Sequence, residues 1–151
     1  MMNKEKKQSY ISEMTTHFDK SEAVIVAHYQ GLTVNQLDEL RAKMREHGII
    51  FKITKNRITK LALEKTRCKE LSNLFTGPTA VALSQDAITS AKILTNFSKE
   101  NGNLKILGGI MGNDILDLAG VKNVATLPTL DEARAKIVAI LRSPAQKIAS
   151  I

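Results

Sequence analysis

The chain has 151 residues, which is enough for one ordinary domain, or a compact domain with an appendage, to bury its own core. A formal charge of +7 favours a polyanionic partner, and a hydrophobic content of 43% excludes a disordered basic tail. The single cysteine, Cys68, excludes a disulfide framework, and the sequence has neither an apolar run of membrane-spanning length nor a signal peptide, so we predict a cytoplasmic protein.

The first two predicted elements are a helix and a strand. Apolar side chains recur at helical spacing in residues 4–18, which predicts an amphipathic helix. Residues 23–29 form a short run rich in β-branched side chains, which is typical of a buried strand. Gly31 is then expected to provide the turn out of this strand.

The next helix is predicted to begin at a capping box. The Thr33 side chain is expected to cap the helix, and the Gln36 side chain is expected to reach back to the backbone of Thr33. Leu32 is expected to pack on Leu37 as a hydrophobic staple. Gly48 follows at a place where helices commonly end in a left-handed residue.

A second predicted strand, residues 49–53, leads into a basic helix. The alternation predicts that Ile49, Phe51 and Ile53 face the core and that Lys52 faces the other side. Thr54 is the expected N-cap of the helix that follows. The residues of that helix expected to face the core are Ile58, Leu61 and Ala62, and those expected to face outward are Arg57, Lys60 and Glu64.

Cations are concentrated around this junction. Between residues 52 and 69 one acid, Glu64, stands against seven basic residues: Lys52, Lys55, Arg57, Lys60, Lys65, Arg67 and Lys69. If Thr54 caps the helix, Lys55 and Arg57 lie in its first turn, where the positive end of the helix dipole makes each unfavourable by about 0.3–1 kcal/mol. A bound phosphate would reverse that sign, because free backbone N–H groups and both cations would face the same anion. We therefore predict a nucleic-acid contact here, against the alternative of a solvated basic face.

Strands and helices continue to alternate in the second half of the chain. Gly77 and Pro78 precede a predicted strand at residues 79–83, which is followed by a helix over residues 86–99 and a strand over residues 104–111. This alternation predicts an α/β (α+β) fold, with a small mixed sheet of about four strands layered with helices, plus a C-terminal helical extension.

The helical extension is predicted from a second capping box. Thr129 and Glu132 are expected to open a helix, and Ser143 and Pro144 are expected to start another. The residues of the first of these helices expected to face the core are Leu130, Ala133, Ile137, Ile140 and Leu141.

Residues that could carry chemistry do not form a catalytic or metal-binding set. His17, His28 and His47 lack metal-ligand spacing, and no pair of carboxylates is placed for acid–base work. The glycines of residues 108–112 are weakly similar to a phosphate-binding loop, but a bulge or turn is the better interpretation. We predict no enzyme, no metal and no cofactor.

Because aromatic residues make up only 4% of the chain, nucleic acid is expected to be recognised by phosphate contacts and shape rather than by stacking.

Five short motifs in series carry a family resemblance. They are Gly31-Leu32-Thr33-Val34, Leu40-Arg41, Lys55-Asn56, Gly77-Pro78-Thr79, and Leu127-Pro128-Thr129 with Glu132. In this order, and over essentially the whole chain, they resemble the motifs of the bacterial large-subunit ribosomal protein of the "L-ten" family, which includes the P-zero relatives and forms the base of the ribosomal stalk.

The resemblance implies a structural ribosomal protein in two parts. Residues 1–126 would form a globular domain that binds 23S rRNA beside the "L-eleven" protein. Residues 127–151 would begin the helix that carries dimers of the acidic "L-seven/L-twelve" stalk proteins, which recruit translational GTPases. Members of the family also repress translation of their own messenger. The resemblance implies neither a membrane nor a small-molecule substrate.

The predicted binding residues come from the motifs and from the charge pattern. The rRNA-binding set is Lys7, Gly31, Lys52, Lys55, Asn56, Arg57 and Lys60, of which the resemblance implies Gly31, Lys55 and Asn56. The stalk-protein-binding set is Pro144, Ala145, Ile148 and Ile151. The last helix of the family continues beyond the position of Ile151, so the sequence is expected to be truncated inside that helix.

Two departures from the family pattern concern cations. Gln30 stands where an Arg or Lys is common, and Arg57 stands where a Thr is common.

The main alternative function is a non-ribosomal nucleic-acid-binding regulator that uses the same basic helix, as a dimer with base-specific contacts. A nucleotide-using enzyme is suggested only by the glycines of residues 108–112.

Overall fold

The computed structural model describes the backbone of residues 3–149, and the side chains of those residues apart from residue 130 and residues 143–149. The elements in chain order are α1 (Lys4–Lys20), β1 (Ala23–His28), α2 (Val34–Glu46), β2 (Ile50–Ile53), α3 (Asn56–Leu63), a 3-10 helix (Lys69–Leu74), β3 (Thr79–Ser84), α4 (Ala87–Glu100), β4 (Lys105–Met111), β5 (Asp114–Asp117), α5 (Leu118–Thr126) and α6 (Leu130–Ala149).

Across the described residues, five strands form one sheet in the order β2-β3-β1-β4-β5. Every pair of neighbouring strands is antiparallel. The predicted layering of helices on a small sheet, with a C-terminal helical part, is confirmed. The sheet has one strand more than the four expected, and it is antiparallel rather than mixed. The additional strand is β5, whose four residues are mostly exposed and therefore give no apolar run in the sequence.

Helices cover both faces of the sheet. Alternate residues of β1 point to opposite sides, so Ile25 and Ala27 pack with α2, α4 and α5, whereas Val24 and Val26 pack with α1, α3 and the 3-10 helix. Burial on both faces explains why β1 reads as a continuous apolar run rather than an alternating one.

Both predicted capping boxes are present. The Gln36 amide donates to Thr33 Oγ1 (3.3 Å), and the Thr33 amide donates to Gln36 Oε1 (3.0 Å). At the start of α6 the Glu132 amide donates to Thr129 Oγ1 (3.3 Å), and the Thr129 amide donates to Glu132 Oε2 (3.1 Å). Gly48 follows α2 with φ of +70°, as its place after a helix predicts.

Three predictions around β2 and α3 are wrong. Ile53 is exposed, because it ends an edge strand that has a neighbour on one side only. Lys55 rather than Thr54 is the N-cap of α3, and the Thr54 hydroxyl is buried without a hydrogen-bond partner among the described residues. Leu61 is 50% exposed, because the face that α3 turns to α1 and the sheet carries Thr59, Ala62 and Leu63, with Ile58 half-buried at its margin.

The C-terminal prediction of two helices is also wrong. One helix, α6, runs from Leu130 to Ala149 and passes through Ser143 and Pro144. Pro144 lacks an amide N–H, so the helix continues there with one backbone hydrogen bond fewer. The side chains of Ala145 and Ile148, like that of Pro144, and all of Ile151 lie outside the described residues.

Of the residues predicted to face the core at the start of this extension, Ile137, Ile140 and Leu141 are exposed, and the side chain of Leu130 lies outside the described residues. Among the described side chains of α6, the large apolar ones that are exposed are Ile137, Val138, Ile140 and Leu141. Ala133 is half-buried, and α6 is held to the domain near its start, where Lys92 Nζ lies 2.7 Å from Glu132 Oε2. The spacing of these residues is that of a helix face, but the surface that would cover it is not in the described part of the chain.

The glycines of residues 108–112 form a bulged strand and a turn, as predicted. Val26 pairs with Gly108 and Ala27 pairs with Ile106, so the residue between those two partners on β4 is the extra one. Gly112, with φ of +64°, makes the turn into β5. Beyond the bulge, Gly109 pairs with Ile25 and lies directly against the backbone of β1.

Replacing Gly109 by Ala is expected to lower the free energy of unfolding by about 1–3 kcal/mol, because overpacking of this order is typical of a crowded core. A Cβ atom at residue 109 would overlap the Val24 carbonyl oxygen. Urea denaturation measures the effect. Gly102→Ala is the matched control, because a Cβ atom there meets nothing within 4 Å. If both variants lost the same free energy of unfolding, overlap with the Val24 carbonyl oxygen would not be the cause.

No helix in the described part of the chain has the length and apolar character needed to span a membrane. Within residues 3–149, His, Cys, Asp and Glu side chains do not gather in a group of three or more that could hold a metal ion.

Candidate nucleic-acid interface

Four segments of the chain meet at one end of the sheet. β1 and β2 end there, and β3 and β4 begin there: His28 pairs with both Thr79 and Lys105, and Ile53 pairs with Ala80. We call this the strand-end surface; it consists of residues 28–31, 53–57, 76–80 and 103–105. Since neighbouring strands lie about 4.8 Å apart, its extent from β2 to β4 is about 14 Å.

Three exposed cations lie on this surface, namely Lys55, Arg57 and Lys105. None of them takes part in an ion pair with another described residue. Lys55 is the N-cap of α3 and makes no side-chain cap, and the first turn of the helix contains no acidic residue. Positive charges therefore remain at the positive end of this helix, where a phosphate would be stabilised by the cations and the free N–H groups together.

Asn56 holds the junction of β2 and α3 in place. Its Nδ2 donates to the carbonyl oxygen of Gly77 (2.8 Å), and its Oδ1 accepts a hydrogen bond from the Thr79 hydroxyl. Both ends of the side-chain amide are thus used within the protein. Asn56 consequently fixes where Lys55 and Arg57 lie relative to β3.

Replacing Asn56 by Ala is expected to lower the free energy of unfolding by about 1–2 kcal/mol, because two hydrogen bonds are removed and the Thr79 hydroxyl is left without its partner. Equilibrium urea denaturation checks this value. Asn96→Ala serves as the control, since Asn96 is exposed on α4 and its replacement favours the helix. If Asn56→Ala left the free energy of unfolding unchanged, the junction would be held by other contacts.

The loops on the β1 side are tied together in a similar way. Gly31 has φ of +91°, and its carbonyl oxygen accepts a hydrogen bond from Asn103 Nδ2 (2.8 Å). His28 Nε2 lies 2.7 Å from the Thr76 carbonyl oxygen. The His28 side chain is therefore hydrogen-bonded within the protein. The Gly31 backbone also lies close to the Asn103 side chain, because a Cβ atom at residue 31 would be 3.1 Å from Asn103 Cγ.

The structure brings together some of the predicted rRNA-binding residues and separates others. Gly31, Lys55, Asn56 and Arg57 lie on the strand-end surface, whereas Lys7 is exposed on α1, Lys52 is in the middle of β2 and Lys60 is in the last turn of α3.

Lys52 already has a partner within the protein. Its Nζ lies 2.5 Å from Glu13 Oε1, and His17 Nε2 lies 3.4 Å from the same oxygen. The hydrogen bond and charge of Lys52, with a smaller contribution from His17, hold the pKa of the Glu13 carboxyl below its usual value. Lys52 is therefore less available to a phosphate than Lys55 or Arg57.

Sequence reasoning missed several residues of this surface as site residues. They are His28, Gly77, Thr79, Asn103 and Lys105. The motif Gly77-Pro78-Thr79 was one signal that could have marked two of them. Asn103 and Lys105 had no local signal, because their place is set by the pairing of β4 with β1.

Comparison with known proteins gives a consistent result. Residues 2–99 match the family model described as Ribosomal protein L10. The chain is 71% identical over 150 residues to the large ribosomal subunit protein uL10 of Pelagibacter ubique, covering 99% of this chain and 90% of that protein. It is 45% identical to the uL10 protein of Rhodospirillum rubrum (99% of this chain, 87% of that protein) and 51% identical to that of Parvibaculum lavamentivorans (90% and 81%).

Proposed function

Because this chain belongs to the ribosomal protein L10 family, we propose that it binds 23S rRNA at the base of the ribosomal stalk through its strand-end surface, and that α6 anchors the acidic stalk proteins. The family makes it a structural protein of the large ribosomal subunit, not an enzyme, with its place on the cytoplasmic ribosome. The RNA contacts, the stalk-protein contacts and the residues assigned to them are the proposed part.

One observation carries the RNA-binding proposal. Lys55 and Arg57 stand at the start of α3, exposed and outside every ion pair of the described residues, where their charge opposes the helix dipole. Asn56 fixes the junction that carries them by its hydrogen bonds with Gly77 and Thr79. An RNA phosphate at this corner removes the electrostatic conflict, and Lys105 extends the positive surface across the sheet end.

The other cations of the predicted rRNA-binding set have a secondary part in this proposal. Lys7 and Lys60, on α1 and α3, would contact phosphates outside the strand-end surface, and Lys52 would contribute only when RNA competes with Glu13. Gly31 contributes its backbone, which a side chain at this position would crowd.

The proposal for stalk proteins rests on the exposed apolar face of α6. Ile137 is 59% exposed and Leu141 is 72% exposed, although both are large apolar side chains on one face of a 20-residue helix. In the sequence, Pro144, Ala145, Ile148 and Ile151 follow these residues at helical spacing, and we assign them to the same partner-binding set. An amphipathic helix of this kind binds by laying its apolar face into a partner's groove.

These two activities define the proposed organisation of the chain. Residues 1–126 form the rRNA-binding domain, which would lie beside the "L-eleven" protein on the ribosome, and residues 127–151 carry the acidic "L-seven/L-twelve" dimers that recruit translational GTPases. The same strand-end surface would bind the protein's own messenger leader, and thereby repress its translation, if the leader presents a fold similar to the rRNA site.

Reconstitution tests the proposal as a whole. The chain is mixed with a fragment of 23S rRNA from the stalk base and with the acidic stalk protein, and the mixture is analysed by size-exclusion chromatography with light scattering. We expect one complex that contains all three components. A dimeric chain that prefers a specific duplex DNA sequence to the rRNA fragment would instead support the non-ribosomal regulator.

A further inference from the structure

A second cationic feature lies beside the strand-end surface. A cleft of about 490 Å³ opens between α4, the first half of β4 and α5. Each of these elements contributes one lysine to its lining, namely Lys99, Lys105 and Lys122. We call it the lysine cleft.

The cleft exists because β5 covers only part of β4. Pairing of these two strands starts at Gly108, so residues 105–107 have a free edge on this side within the described chain. Leu118, at the start of α5, and Leu107, on β4, line the walls of the gap. The result is a concave site with apolar walls and a cationic lining, and its volume is within the range of about 300–1,000 Å³ that is usual for small-ligand sites.

Two observations show that the lysine cleft lacks internal partners. All three lysines are exposed, and none of them pairs with an acid among residues 3–149. Thr95 lines the same cleft and is only 8% exposed, yet its hydroxyl has no hydrogen-bond partner in the described part of the chain. A buried hydroxyl without a partner is destabilising, and three ammonium groups around one space repel each other.

We propose that the lysine cleft binds one unpaired nucleotide of the RNA, with the phosphates on either side held by the lysines and the base placed on the apolar walls. This inference rests on the proposed rRNA-binding function. RNA is favoured over an acidic polypeptide because Lys105 belongs both to the cleft and to the strand-end surface, so one RNA chain can follow both. The cleft has the size of a small-ligand site, so it accommodates a single nucleotide better than it would accommodate a long helix of an acidic polypeptide.

The variant Lys99→Gln/Lys122→Gln tests the cleft without touching the strand-end surface. Fluorescence anisotropy with the 23S rRNA fragment is measured over a series of KCl concentrations. We expect the affinity to fall about 10-fold or more at physiological salt. The slope of log affinity against log salt should decrease by about 2, because two phosphates would no longer be neutralised by a lysine. Lys20→Gln/Lys136→Gln removes the same charge from exposed sites elsewhere and is expected to leave the slope nearly unchanged.

Three results would separate the hypotheses. Wild-type affinity and slope in the cleft variant would overturn the cleft proposal, even if variants at Lys55 and Arg57 uphold the RNA-binding function. A loss of binding in the cleft variant alone would support the cleft and would contradict the strand-end surface. Tighter binding of a fluorescent oligoglutamate than of RNA, abolished by Lys99→Gln/Lys122→Gln, would assign the cleft to an acidic polypeptide and overturn our proposal.

Discussion

Replacing both Lys55 and Arg57 by Ala is expected to weaken binding of the stalk-base 23S rRNA fragment by about 10–100-fold at physiological salt. Both side chains are exposed at the start of α3 and have no acid to neutralise them among the described residues. If each contacts one phosphate, the slope of log affinity against log salt should also fall by about 2. Filter binding or fluorescence anisotropy over a salt series measures both quantities.

The same double variant should be slightly more stable than the wild type. Removing two cations from the positive end of α3 relieves an unfavourable interaction with the helix dipole, which is worth about 0.3–1 kcal/mol for each charge. Urea denaturation measures this gain. A variant that loses both RNA affinity and stability would indicate that the side chains hold the fold rather than the RNA.

The matched control lies at the opposite end of the sheet. Lys20 and Arg45 are exposed in the last turns of α1 and α2, just before β1 and β2 begin. Lys20→Ala/Arg45→Ala removes the same two types of cation and the same net charge. An equal loss of RNA affinity in this control would mean that only the total charge matters, and that the strand-end surface is not the binding site.

Replacing Ile137 and Leu141 by Asp is expected to abolish binding of the acidic stalk protein, with a loss of affinity of more than about 100-fold. Two carboxylates would be placed in the middle of the apolar face, where a partner would have to bury them without counter-charges. Because both side chains are exposed in the free protein, the free energy of unfolding should change little. Co-purification with the stalk protein, followed by isothermal titration calorimetry, measures the effect.

The opposite face of the same helix provides the control. Ala135 and Ala139 are exposed and lie roughly half a helical turn away from Ile137 and Leu141. Ala135→Asp/Ala139→Asp adds the same charge to α6 and should leave stalk-protein binding nearly intact. If both double variants lose binding equally, electrostatic repulsion from the acidic partner would explain the loss, and burial of the apolar face would not.

Local signals gave the reliable part of the sequence-based prediction. The two capping boxes, at Thr33 and Thr129, are made by residues only three positions apart, so nothing distant is needed to form them. The bulge at β4 was recognised from its glycines for a similar reason. By contrast, β5 was missed, because four mostly exposed residues have no periodicity to detect.

The predicted binding residues divide in the same way. The charge conflict at Lys55 and Arg57 is visible in the sequence, since a helix start and its first turn are local features. Lys52 looked equivalent to them, but its partner Glu13 is 39 residues away, and only the packing of α1 against this face of the sheet brings the two together. The face of α6 was predicted correctly in its spacing and wrongly in its burial, because spacing does not reveal what covers a helix.

The sequence by itself determined where helices begin, which strands are buried, and where positive charge is concentrated, because each of these depends on residues within about one helical turn of each other. Only the tertiary structure decided that four segments meet at one end of the sheet, that Asn56 ties the start of α3 to Gly77 and Thr79 across 21–23 residues, and that Lys105 joins the same surface. These features depend on strand pairing. Antiparallel hydrogen bonds join residues that are far apart along the chain, and no local sequence pattern shows which residues will pair.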